Sequence, residues 1–129
     1  MTTMTTARVA ATEQILVAIA GVVSAEAALR HAFDQAEHLG VAVHVVAAGP
    51  APAAYDDLLC DLVERWARKH PGVAVSTEFR RQLDAAVTLV AATRNCGSAF
   101  VPGSSDPASA AVLRALSRRA HCPVVVMNE

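Results

Sequence analysis

Aromatic residues are scarce in this 129-residue chain, at 4% of the sequence, which favours closely approaching helices and β-branched strands over an aromatic binding platform. Charge of either sign is balanced: 11 basic against 12 acidic residues leave a formal net charge of −1. That excludes the broad basic footprint of a dedicated nucleic-acid binder. Apolar runs approaching the roughly 20 residues needed to span a bilayer are lacking, so no membrane partner is expected. Cysteine is also sparse. Cys60, Cys96 and Cys122 are odd in number, far apart, and form no CxxC or Cys/His cluster, which argues against a zinc site and for small, partly buried thiols in a reducing compartment.

What the chain has in quantity is alanine, valine and leucine; the hydrophobic set makes up 53% of it. One domain with a single core fits this length. Residues 1–13 carry neither the charged start nor the long apolar stretch of a signal peptide. They read as a flexible leader to a domain over residues 14–129, and the expected location is cytoplasmic.

Residues 14–20, Gln-Ile-Leu-Val-Ala-Ile-Ala before Gly21, form a continuous apolar run, as in a strand buried on both faces of a parallel sheet. Ser24 is a candidate cap for a helix over residues 25–39, with Ala28, Leu29, Ala32, Phe33 and Ala36 at helical spacing and Gly40 as its stop. A second buried strand is predicted at 41–47. A helix at 53–69 follows, with Leu58, Leu59, Leu62, Val63 and Trp66 on its inner face. Residues 73–79 read as a more exposed strand. Residues 83–93 read as a helix with Leu83, Val87 and Val90 on its stripe, and 98–101 as a fourth strand. Asp106-Pro107 is a strong helix start, because aspartate accepts N–H bonds at the cap and proline suits the first turn. That helix is expected to reach Arg119, and residues 123–127 to form a last strand. The β-α-β-α-β-α-β-α-β order predicts one doubly wound α/β domain, a five-stranded, largely parallel sheet with helices on both faces.

On particular stretches the chain resembles the universal stress protein family. Ile15-Leu16-Val17-Ala18-Ile19-Ala20-Gly21 is similar to the family's "ILVAVDGS" opening, and Val43-His44-Val45-Val46 to its second strand. Phe100-Val101-Pro102-Gly103-Ser104 resembles the "IVVGS" end of the fourth strand. Arg118-Arg119-Ala120-His121-Cys122-Pro123-Val124-Val125-Val126 resembles the "HHAPCPVLVV" close, with Cys-Pro-Val the most specific match. The resemblance implies a stress-response or regulatory domain of this fold, a homodimer through the terminal strand Val124–Met127, and an adenine-nucleotide site.

That site is degraded here. The family's ATP motif G-x2-G-x9-G-[ST] keeps only Gly103; Asp106 occupies the second glycine position. Counting nine residues on lands on Leu116-Ser117, whereas anchoring on Cys122-Pro123 puts the last pair at Ala110-Ala111 with about half a dozen loop residues missing. Ala20 stands where ATP-binding members carry aspartate, and Val22 replaces the following serine. An ionised Asp106 at a helix start would itself satisfy the N–H groups that otherwise greet a phosphate. Gly103-Ser104-Ser105 reads first as a turn and helix cap; the alternative is a residual ligand site of Ala20, Gly21, Gly103, Ser104 and Ser105, for which cyclic AMP is better suited than ATP. No dependence on ATP is expected.

The other chemistry-bearing residues have plainer readings. His44 reads as a satisfied core histidine and His121 as a turn residue. His31 and His38 share a helix face without a carboxylate cluster, so no metal is expected. Arg80-Arg81 and Arg118-Arg119 read as solvated ends. No nucleophile–base–acid constellation is visible along the chain, and the expectation is a non-enzymatic protein.

Overall fold

A computed structural model describes residues 14–103 and 106–127. Five strands, β1 (Gln14–Ala20), β2 (Val43–Ala48), β3 (Val75–Arg80), β4 (Cys96–Pro102) and β5 (Val124–Met127), form one sheet in the order β3-β2-β1-β4-β5. Every pairing among them is parallel. Helices α1 (Glu26–Leu39), α2 (Ala53–Lys69), α3 (Ala85–Ala92) and α4 (Pro107–Arg119) make the crossovers.

Alternation along the strands splits the core into two layers, because successive side chains leave a strand on opposite faces. Ile15, Val17, Ile19, Val43, Val45 and Ala47 pack under α1 and α2 with Phe33, Leu59, Val63 and Trp66. Leu16, Ala18, Val46 and Ala48 pack under α3 and α4 with Leu89, Val112 and Leu116. The central β1 is buried from Ile15 to Ile19, which explains its unbroken apolar run. Among the described residues no helix is long and apolar enough to cross a membrane.

Four local expectations are corrected. Ser24 does not cap α1: the helix starts at Glu26 behind Ala25, which is buried and makes no side-chain cap bond. Leu58 is 67% exposed, since α2 turns Leu59, Val63 and Trp66 inward and leaves Leu58 on its outer flank. Leu83 precedes α3, whose start is fixed by the Asp84 carboxylate accepting the Val87 N–H at 2.9 Å. Val87 is then 66% exposed, because it lies two residues, about 200° of helix, from the buried Leu89. His44 is half-buried on the α3 side of the sheet rather than in the core, while its neighbours Val43 and Val45 face α1 and α2.

Candidate functional site

The strand order reverses direction between β1 and β4, and at such a switch point the crossovers diverge and leave a crevice at the carboxyl ends of the strands. A cleft of about 310 Å³ lies there. Ala20, Gly21 and Val22 from the end of β1, Gly49 and Pro50 from the end of β2, and Asp106 and Ser109 from the start of α4 are among its walls. Gly21 and Gly49 both have positive φ, 68° and 82°. At Gly49 a Cβ would also come within 3.3 Å of the Ala85 Cβ, so no other residue fits this turn without strain.

The N-terminus of α4 carries the local electrostatics. Asp106 caps the helix, its Oδ2 accepting the Ser109 N–H at 3.2 Å, with Pro107 in the first turn. The carboxylate therefore sits where an anion would otherwise meet the helix dipole and its unpaired N–H groups.

The residues expected to form the site are only partly brought together. Ala20 and Gly21 line the cleft. Gly103 is not among its described walls, and its N–H donates to the Met127 carbonyl at 2.9 Å, tying the end of β4 to β5. Ser104 and Ser105 lie outside the described residues, as does the leader at 1–13.

Arg81 corrects the reading of Arg80-Arg81 as solvated ends: it is not itself a wall of the cleft, but it holds the backbone of two of the walls, Gly21 and Gly49, and sequence reasoning missed it. Its side chain is only 13% exposed. The guanidinium donates through Nε and Nη2 to Asp56 Oδ1 at 3.0 and 2.6 Å, and through Nη1 to the carbonyls of Gly21, Ala48 and Gly49 at 3.2–3.4 Å. It also lies over the rings of Tyr55 and Phe79. One cation thus ties the ends of β1 and β2 to the first turn of α2. Tyr55 adds a second tie, donating its hydroxyl to the Val23 carbonyl at 2.6 Å, and burial pushes its phenol above the ordinary range. The signal that could have found Arg81 is the alternation Phe79–Arg81, which places it on the α2 side, whereas Arg80 points the other way and is half exposed.

The remaining candidates fall elsewhere. His31 and His38 are exposed, and no group of three metal-ligating residues forms among the described residues. His121 is exposed at a bend, where its N–H donates to Thr93 Oγ1. Burial pushes the Cys96 thiol up to about 11 and raises those of Cys60 and Cys122, the opposite of what a reactive thiolate needs.

No family profile matches this sequence, and none of the curated proteins matches it significantly. Solved structures do. A universal stress protein family member from Burkholderia pseudomallei superposes with a TM-score of 0.66 at 21% identity, covering 90% of this chain and 96% of its own. A universal stress protein from Archaeoglobus fulgidus, in complex with dAMP, gives 0.68 at 21% identity, covering 88% and 96%. A universal stress protein in complex with cAMP gives 0.63 at 17% identity, covering 90% and 97%. With the parallel 3-2-1-4-5 sheet and four crossover helices, these matches establish that the chain has the universal stress protein fold.

Proposed function

We propose that this chain is a regulatory domain of the stress-response type that works as a homodimer, without catalytic chemistry at the switch-point cleft and without depending on ATP. The observation that carries this reading is Asp106, whose carboxylate caps α4 on the wall of that cleft. A triphosphate entering there brings several negative charges toward a carboxylate that already accepts the Ser109 N–H, and the repulsion and the lost donor act together. Gly103, the glycine retained from the nucleotide motif, has its N–H committed to Met127.

The dimer reading rests on β5. It is an edge strand of four residues pairing with β4, and Val125 and Val126 are 41% and 44% exposed in the isolated chain. Unpaired backbone groups beside exposed valines favour pairing with a second copy across a two-fold axis. Sedimentation is expected to give a dimer, and Val125→Lys a monomer with an unchanged circular dichroism spectrum. A wild-type monomer at tens of micromolar would remove this part of the proposal.

A second reading, a sensor of a small adenine nucleotide, is favoured by the open cleft and by the complexes with dAMP and cAMP among similar structures. A single phosphate carries less charge toward Asp106 than a triphosphate. Calorimetric titration with cyclic AMP separates the two: saturable heat that is lost in Ala20→Glu, on a wall of the cleft, selects the sensor, and no heat selects the ligand-independent domain.

A further inference from the structure

The short α3 leaves the β2–β3 end of the sheet open on its side. A groove of about 400 Å³ lies there, walled by His44, Val46, Glu78 and Arg80 from the strands and by Leu83 and Val87 beside them. Parallel pairing sets His44 opposite Ser76 and Val46 opposite Glu78. Alternate residues of a strand share a face, so His44, Ser76, Glu78 and Arg80 stand in one polar cluster. Ser76 is exposed on the edge strand.

The hydrogen bonds of this cluster have a direction. Glu78 Oε2 accepts from Arg80 Nε at 2.6 Å and from Arg80 Nη2, and these bonds hold its carboxyl below the usual carboxylate range. An ionised carboxylate only accepts, so the His44 Nε2 that lies 3.1 Å from Glu78 Oε1 must carry the hydrogen. In the neutral ring Nδ1 is then the bare nitrogen, and it lies 2.6 Å from Ser76 Oγ. The serine hydroxyl donates to it. Nucleophile, base and orienting carboxylate are thus connected in the order that activates a hydroxyl.

We propose that Ser76 is a histidine-activated nucleophile, a site of covalent acylation that takes the acyl group of a small activated ester. Ser76 Oγ bonds to the ester carbonyl carbon while its proton passes to His44 Nδ1. The bond from that carbon to the leaving oxygen breaks, and the leaving oxygen takes the proton from His44. The products are acyl-serine and an alcohol. Ser76 is not itself a wall of the groove, but His44, 2.6 Å from it, is, and Leu83 and Val87 form the apolar side toward which an acyl chain would extend. The serine alkoxide is a poorer leaving group than the oxygen of an activated ester, so deacylation is slower than acylation and one acyl group per chain accumulates.

The test uses the full chain with p-nitrophenyl acetate, followed by intact-mass measurement and peptide mapping. One acetyl group on Ser76 is expected. His44→Gln should slow its appearance about 100-fold, the usual contribution of a positioned general base. Glu78→Gln, which leaves the histidine in place, should slow it as well, and Thr77→Ala on the opposite face should not. The hexanoyl ester should label faster than the acetyl ester, and Val87→Asp should remove that preference without removing acetylation. Acetyl groups confined to lysines, cysteines or the chain start would overturn the proposal. So would labelling of Ser76 at an undiminished rate in both His44→Gln and Glu78→Gln.

Discussion

Arg81→Met is expected to cost about 3 kcal/mol of folding stability. In a domain of this size that lowers the melting temperature by roughly 10 °C. Methionine keeps a side chain of similar reach against Tyr55 and Phe79 but removes every donor. Asp56, itself only 23% exposed, loses both hydrogen bonds from its cation, and the carbonyls of Gly21, Ala48 and Gly49 lose theirs. A carboxylate left without its partner in a shielded place carries most of the loss, because its desolvation is no longer offset. Arg80→Met is the matched control. Arg80 is half exposed and pairs with Glu78 across two residues of one strand, so its loss should stay within about 0.5 kcal/mol. Thermal or urea unfolding of the two variants distinguishes them. Equal effects would mean that Arg81 is not the tie between β1, β2 and α2.

Phe33→Ala should cost more, about 4 kcal/mol. Phe33 is fully buried on the inner face of α1. Its ring stacks on His70 at 5.7 Å, and His70 stacks in turn on Trp66 of α2. The same histidine reaches Glu37 at 2.9 Å and Asp34 at 3.5 Å on α1. Removing the ring therefore opens a cavity and loosens the residue that joins the two helices on that side of the sheet. Total stabilities of single domains run from about 5 to 15 kcal/mol, so this one change should leave a marginal fold. It is read as a lower denaturation midpoint in urea; a midpoint unchanged from wild type would contradict the packing described.

Features decided by nearest neighbours were legible in the sequence. The apolar run of β1, the span of α2 and the Asp106-Pro107 start of α4 are all found where local chemistry placed them. Strands β2 and β3 begin two residues later than their valines suggest, at Val43 and Val75, because a strand starts where pairing begins and pairing is not local. The orientation of α3 was missed for a related reason: Ala85–Ala92 is apolar nearly all round, so which side is buried is decided by its contact with the sheet and not by a stripe in the sequence. Part of the candidate site was legible, in Ala20, Gly21 and the capping Asp106. Arg81 and the Ser76–His44–Glu78 cluster were not, since their partners lie 25 to 60 residues away and only the strand register brings them together.

The universal stress protein fold is retained here, and under the proposal above the Asp106 carboxylate turns its switch-point cleft away from ATP. Melting the protein with and without millimolar magnesium–ATP tests it most directly. A ligand at a hundredfold excess over its Kd stabilises by about 2.7 kcal/mol, which corresponds to roughly 10 °C in a domain of this size. A shift of less than about 1 °C is expected on the same scale; an upward shift of several degrees would mean that the triphosphate enters the cleft despite the Asp106 carboxylate.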